Sequence, residues 1–247
     1  MDTMNVSMKV TPIKTRIFRE NEDLFKFITS HIRRLPEKSV LVITSKIVAL
    51  SEGRTHNDSS TKAKERLIKS ESQWAMKTPL TWITIKDGTV MASAGIDASN
   101  ARGKLILLPK DSYKSAREIR KQLRTHYKIK KLGVLITDSR LFPLRAGIVG
   151  MALGYAGFKG IRDYRGTKDI FGRTLKLSRT DVADSLATSA VLAMGEGKEK
   201  QPLAVIENAP IDFTDKNPSR RELQMDPKKD IYRPLFERVG KIKLKRK

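Results

Sequence analysis

The sequence predicts an α+β fold of mixed and partly antiparallel sheets with flanking helices, and three observations carry that expectation. Apolar runs of strand length recur at residues 40–43, 105–108 and 132–136, the pattern of strands buried on both faces. Between them lie segments whose apolar residues fall three and four apart, as in amphipathic helices. Asp87-Gly88 separates TWITI from GTVMASA, and a dipeptide of that kind between extended segments marks an antiparallel hairpin.

The elements follow in order. Residues 8–14 and 39–44 read as strands, the second containing the buried run VLVIT. Between them, Leu24, Phe25, Phe27, Ile28 and Ile32 form a helical stripe over residues 23–34 that must end before Pro36. Residues 60–77 read as a second, basic helix. LILLP is a short buried strand, residues 115–128 a basic helix, and LGVLIT a buried strand leading to Asp138. Residues 147–160 are rich in Gly and Ala, which implies either close backbone packing or a ligand-facing loop. Residues 180–194 read as an amphipathic helix with Asp181 at its N-terminus, ending at Gly195-Glu196-Gly197. A strand is expected at residues 201–206 and a polar loop at 214–234. Trp74, Trp82, Met151 and Met194 read as packing residues.

A chain of 247 residues with 39% hydrophobic and 31% charged residues can build a core and is not globally disordered. No apolar stretch reaches the roughly 18 residues a membrane span needs, and MDTMNVSMKV lacks the apolar centre of a signal peptide. The expected compartment is therefore cytoplasmic. Cysteine is absent, so disulfides and thiolate metal sites are excluded, and three widely spaced histidines argue against a His-rich zinc site, so a metal is expected on oxygen ligands. The net charge of +23 attracts polyanions without choosing among them. It leaves a basic nucleic-acid-binding protein as an alternative class. Against it, aromatics are only 6% and no RNP-type motif, KH loop or zinc finger is visible.

Three places combine carboxylates with glycine or strand ends. AGIDASN, residues 94–100, offers Asp97, a hydroxyl and Asn100 in four residues. Asp138 and Ser139 close LGVLIT, where a strand's carboxyl end can face a cleft. Glu196 sits between two glycines. Hard cations such as Mg2+ and Mn2+ take such ligands together with phosphate oxygens. Each place alone reads as readily as a turn or a helix cap. No Walker loop or Rossmann fingerprint is present, so a nucleotide would need another cradle, for which Ser45 and Lys46 after VLVIT are candidates.

In order along the chain, SKIVALSEGR (45–54), AGIDASN (94–100), ITDS (136–139), RAGIVGMALGYAGF (145–158), DYRGTKDIFGR (163–173), VADSLATSAVLAMGEG (182–197) and PLAVI (202–206) resemble the motifs of coenzyme F420-0:γ-glutamyl ligases. The resemblance runs from near residue 10 to about 207. It implies one domain over residues 1–238, open to division into two subdomains, and an intertwined homodimer; the basic residues at 239–247 read by their terminal position as a mobile tail. It also implies a GTP-driven amide bond between L-glutamate and an acidic acceptor, formed through an acyl-phosphate. Two divalent metals (Mg2+ or Mn2+) and K+ would assist. Carried over, Asp97 and Asp138 are ligands of one metal and the catalytic carboxylates, and Ser139 and Glu196 are ligands of the second. Thr15, Arg16, Ile17, Phe18, Ser45, Lys46, Asn100, Met194, Gly195 and Gly197 fall where the family contacts nucleotide. Leu50 stands where the family usually has a lysine, which leaves ATP open beside GTP. Residues 139–145 replace a GRP-type stretch, which leaves a folate-type acceptor open beside F420-0. Arg145, Arg162, Arg165 and Arg173 are either anion clamps or surface ion pairs.

Overall fold

The computed structural model describes residues 7–237; the basic tail expected at 239–247 lies outside them. The run VLVIT lies at the centre of the fold because Val40, Leu41, Val42 and Ile43 all have apolar company. It forms β2 (Ser39–Thr44), which pairs in parallel with β8 (Leu132–Leu141). Around this pair a five-stranded mixed sheet has the order β1-β12-β2-β8-β9. Here β1 is Lys9–Ile13, β9 Ile148–Ala156 and β12 Leu203–Glu207. The other three pairings are antiparallel.

Helices cover both faces of the sheet. Leu41, Ile43, Val134 and Ile136 pack against α1 (Leu24–His31), α2 (Ser45–Ser51) and α4 (Ser112–Tyr127). Val40, Val42, Leu135 and Tyr155 pack against α5 (Val182–Met194). Burial on both faces explains why β2 and β8 read as continuous rather than alternating apolar runs. Three of these helices start at an aspartate whose side chain accepts a backbone N–H: Asp23 from Lys26, Asp111 from Lys114 and Asp181 from Asp184.

A smaller layer follows β2. It contains β3 (Thr55–His56) paired with β7 (Leu105–Ile106), α3 (Thr61–Glu71), and the antiparallel set β4 (Trp74–Lys77), β5 (Trp82–Lys86) and β6 (Thr89–Ala92). The hairpin expected at Asp87-Gly88 joins β5 to β6 with both residues at positive φ, 51° and 75°, as a two-residue turn of that type requires. The remaining elements of the described residues are β10 (Ile161–Asp163), β11 (Arg179–Asp181) and the short α6 (Arg233–Glu237).

One expectation is corrected and one open choice is decided. The helix foreseen over residues 60–77 stops at Glu71: the Ser72 hydroxyl donates to the Ile68 carbonyl, and Trp74–Lys77 becomes a strand by pairing with β5. The glycine-rich stretch at 147–160 is mostly strand. A Cβ at Gly150 would lie 2.4 Å from the Ala187 carbonyl oxygen, and one at Gly154 2.4 Å from the Ser112 carbonyl carbon. These glycines let β9 press against α5 and the start of α4, so close backbone packing accounts for both.

Candidate active site

Sheet topology gathers chain-distant segments at one rim. β2 and β8 run parallel, and β1 runs the same way because it and β2 are both antiparallel to β12. The carboxyl ends of β1, β2 and β8 therefore open together, beside the loop that enters β12. Ligands of α/β sheets favour such a rim. Two backbone hydrogen bonds fasten it: Thr15 N donates to Lys200 O at 2.8 Å, and Thr44 N to Pro202 O at 3.0 Å.

Lys46, in the first turn of α2, crosses to the AGIDASN loop. Its Nζ lies 2.7 Å from Asp97 Oδ2 and donates to Ser99 O and Oγ, both at 3.0 Å. Ser99 closes a local ring, donating from N to Asp97 Oδ1 at 2.7 Å and from Oγ to Oδ2 at 2.6 Å. Burial pushes the Asp97 carboxyl up, but the hydrogen bonds from Lys46 and Ser99 outweigh it and hold the group below the usual carboxylate range.

Asp138 has the opposite character. Ser45 Oγ donates to its Oδ1 at a long 3.4 Å, and Arg140 Nε lies 3.4 Å from its Oδ2. Burial is the largest influence and lifts this carboxyl above its ordinary value, and the negative charge of Asp97 adds to the effect. Two carboxylates that repel each other across a partly buried space favour a cation between them. On the strand's other face, the Ser139 hydroxyl donates to Glu196 in the loop after α5.

The structure thus brings Ser45, Lys46, Asp97 and Asp138 together and places Ser139 with Glu196 next along the strand. Asn100 is exposed one residue beyond Ser99, at φ 55°. Of the 15–18 segment, Thr15 and Phe18 are buried, Phe18 edge-on to Phe27 at 4.9 Å. Arg16 pairs with Glu22 and lies over the Phe27 ring, and Ile17 faces outward. The Met194 side chain is in the core, Gly195 turns at φ 77°, and Gly197 N donates to Glu199. Any ligand contact by Phe18 or Met194 must therefore use backbone atoms.

Among the described residues no three or more His, Asp or Glu side chains converge as a preformed metal cage. The donors available are nevertheless carboxylate and hydroxyl oxygens. They suit Mg2+ or Mn2+ whose remaining positions are filled by phosphate and water oxygens.

Two residues with no assigned part in the sequence reading stand out. Arg140 is buried beside Asp138. Asp184, in the first turn of α5, accepts Ala152 N at 2.8 Å, and burial, then the charge of Asp181, lifts its pKa to about 7. In sequence it reads only as a helix-start acid. Its raised pKa has a definite sign. Between the ordinary carboxylate pKa and about 7 the folded protein keeps a proton that the unfolded chain has lost, so stability falls as pH rises through that window and then levels. Asp184→Asn is expected to stabilise the protein by on the order of 2 kcal/mol at pH 8 and by less at pH 5. Urea midpoints at the two pH values test this, and an identical gain at both would refute it.

A sequence model described as F420-0:Gamma-glutamyl ligase matches residues 12–208. A protein named coenzyme F420:L-glutamate ligase from Methanococcus maripaludis (strain C7 / ATCC BAA-1331) is 33% identical over 94% of this chain and 100% of its own. A second of that name, from Archaeoglobus fulgidus, is 31% identical over 90% of this chain and 94% of its own. A third, from Haloarcula marismortui, is 34% identical over 80% and 76%. With the family's pattern spanning the central sheet and every segment of the rim, the chain belongs to the F420-0:γ-glutamyl ligase family.

Proposed function

We propose that this chain joins L-glutamate to an acidic acceptor of the F420-0 type by an amide bond, driven by GTP. The observation that supports this most is the rim itself, where Lys46, Asp97, Ser45 and Asp138 meet across 51 and 93 residues of sequence. In this reading an acceptor carboxylate oxygen attacks the terminal phosphorus and the nucleoside diphosphate leaves. The glutamate amine then attacks the acyl carbon, inorganic phosphate departs, and the amine loses a proton. Bound Mg2+ or Mn2+ would neutralise phosphate charge, with Asp97 and Asp138 holding one ion and Ser139 and Glu196 a second; K+ has a place in the same reading. Lys46 exchanges its bond to Asp97 for a phosphate oxygen. Ser45 and Asn100, the backbone at 15–18 and that at 194–197 position the nucleotide. The turn at 195–197 limits water access to the acyl-phosphate.

A second copy of the chain completes the assembly in this proposal. Leu141, Phe142, Leu144 and Ile148 on the β8–β9 hairpin are exposed, as are Ile170, Phe171 and Leu177, and such apolar surface suits a homodimer contact. Leu141 and Phe142 replace the polar GRP-type stretch, and this favours keeping a folate-type acceptor as the second reading. The test is direct. The purified protein is incubated with L-glutamate, GTP or ATP, Mg2+ or Mn2+, and either F420-0 or a tetrahydrofolate. A product heavier by one glutamyl unit is expected with F420-0 and GTP. Product with the folate alone moves the acceptor assignment, and no product in any combination rejects the proposal.

A further inference from the structure

Arg140 is only 4% exposed, yet its Nε, Nη1 and Nη2 have no hydrogen-bond partner. Its contact with Asp138, 3.4 Å from Nε to Oδ2, is an ion pair rather than a hydrogen bond. A guanidinium carries five N–H donors in a rigid plane, and burying them unpaired is costly. Burial disfavours the guanidinium's charge and draws its pKa down, against the attraction of Asp138, Asp184 and Asp87, none of which supplies a hydrogen bond. The side chain is thus kept charged and close to the rim while its fork is left free.

Its position gives that fork a use. Arg140 stands two residues after Asp138 on β8, so strand alternation sends both side chains to the same face. That face carries Ser45 and Asp138, and the Asp138 side chain is 24% exposed, which links the pair to solvent. An arginine fork matches two coplanar oxygens of a phosphate or carboxylate better than any other side chain does.

We propose that Arg140 is an oxyanion-binding residue of this site. When a cation draws the Asp138 carboxylate away, the fork takes two oxygens of an incoming substrate. Asp138 acts as a placeholder that keeps the guanidinium in position without using its donors. The shared chemistry is a planar pair of oxygens, supplied either by the nucleotide's triphosphate or by a carboxylate of glutamate or the acceptor. The inference rests on the ligase reading for the identity of these substrates.

Calorimetric titration of the full chain in Mg2+ separates the sources, with GTP, L-glutamate and F420-0 as three separate probes. Arg140→Met keeps the length and removes the charge. It is expected to weaken one probe by roughly 10- to 100-fold, the loss of a charge-assisted bidentate contact, while the others stay within twofold. The probe that weakens names the source. Arg140→Lys keeps the charge but not the fork and is expected to weaken the same probe at least fivefold. A purely structural arginine would lower the urea midpoint of Arg140→Met and leave all three affinities alone, and that result overturns the inference. If Arg140→Met does not fold, Arg140→Lys decides: wild-type affinity for every probe overturns it equally. The two readings fail separately. Unchanged affinities in variants of a protein that makes glutamyl product remove only the role of Arg140. Selective weakening in a protein that makes no product removes only the ligase reading.

Discussion

Asp138→Asn is expected to lower glutamyl transfer by on the order of a thousandfold, the scale of losing a central electrostatic contact in a closed site, while the protein still folds. The asymmetry follows from the surroundings. Ser45 donates to Asp138 Oδ1, and asparagine keeps an oxygen there. The contact with Arg140 spans 3.4 Å and is not a hydrogen bond, so little directional bonding is lost. Burial already works against the negative charge of Asp138, so an uncharged residue of the same shape removes a desolvation cost as well as an attraction. Arg140 then loses its nearest counter-charge, so the net cost in folding free energy should be about 2 kcal/mol, small enough for the protein to remain folded. Catalysis has no such compensation. In the proposed reaction the rim must gather cations around a triphosphate, and Asp138 is one of the two carboxylates that hold an ion there. Glutamyl product formed per unit time and the urea midpoint should be measured on one preparation. A variant that turns over at near-normal rates would take Asp138 out of the mechanism. One that fails to fold would show that the carboxylate is mainly a structural partner of Arg140.

How much of this was legible in the sequence depended on whether the cause was local. VLVIT could be read because burial on both faces leaves a continuous apolar run, and Asp87-Gly88 because its turn demands positive φ. Asp23, Asp111 and Asp181 cap helices through bonds spanning three residues. By contrast, α2 was not foreseen. Ile47 and Val48 are poor helix formers, and the helix exists because both are buried against the sheet. Trp74–Lys77 is a strand only because β5 lies beside it. The site divides in the same way. Asp97, Asp138 and Glu196 were visible as carboxylates near glycines and strand ends, but the approach of Asp97 and Asp138 to α2, and of Glu196 to Ser139, depends on sheet order, which no local signal carries. The burial of Arg140 had no sequence signature: within SRLFPLR it reads as one more positive charge in a basic protein.

The SEGR block shows how a motif can serve the site from a distance, and it leads to the largest stability effect expected of any single change. Gly53 turns at φ 64° to end α2. Glu52 accepts Lys110 N and the Ser115 hydroxyl, both at 2.8 Å, fixing the entry to α4. Arg54 reaches Leu108 O at 3.1 Å through Nε and both oxygens of Glu71 through Nη2, at 2.9 and 2.8 Å. Lys86 adds a bond of 2.6 Å to the same carboxylate. Glu71 therefore ties the last turn of α3 to β5 and, through Arg54, to Leu108 in the segment that follows AGIDASN. Its side chain is 19% exposed and that of Lys86 11%, so the cluster is largely shielded from water. Burial alone would push the Glu71 carboxyl up, but the hydrogen bonds from Lys86 and Arg54 outweigh it and hold the group below the usual range. The stability this contributes is present above the ordinary carboxylate pKa and is lost as pH falls through the depressed folded value. Glu71→Ala leaves two cations facing each other with no anion between them and should cost about 3–5 kcal/mol at neutral pH. Glu71→Gln keeps an acceptor and should cost about half as much. Both losses should shrink as pH falls below the ordinary carboxylate range, where the wild-type contribution is lost. Denaturant midpoints at pH 7 and pH 3 provide the measurement. An Ala variant within 1 kcal/mol of wild type at neutral pH would mean that Arg54 and Lys86 find water or other partners. The SEGR block would then owe its place in the sequence to the ligand rather than to the scaffold.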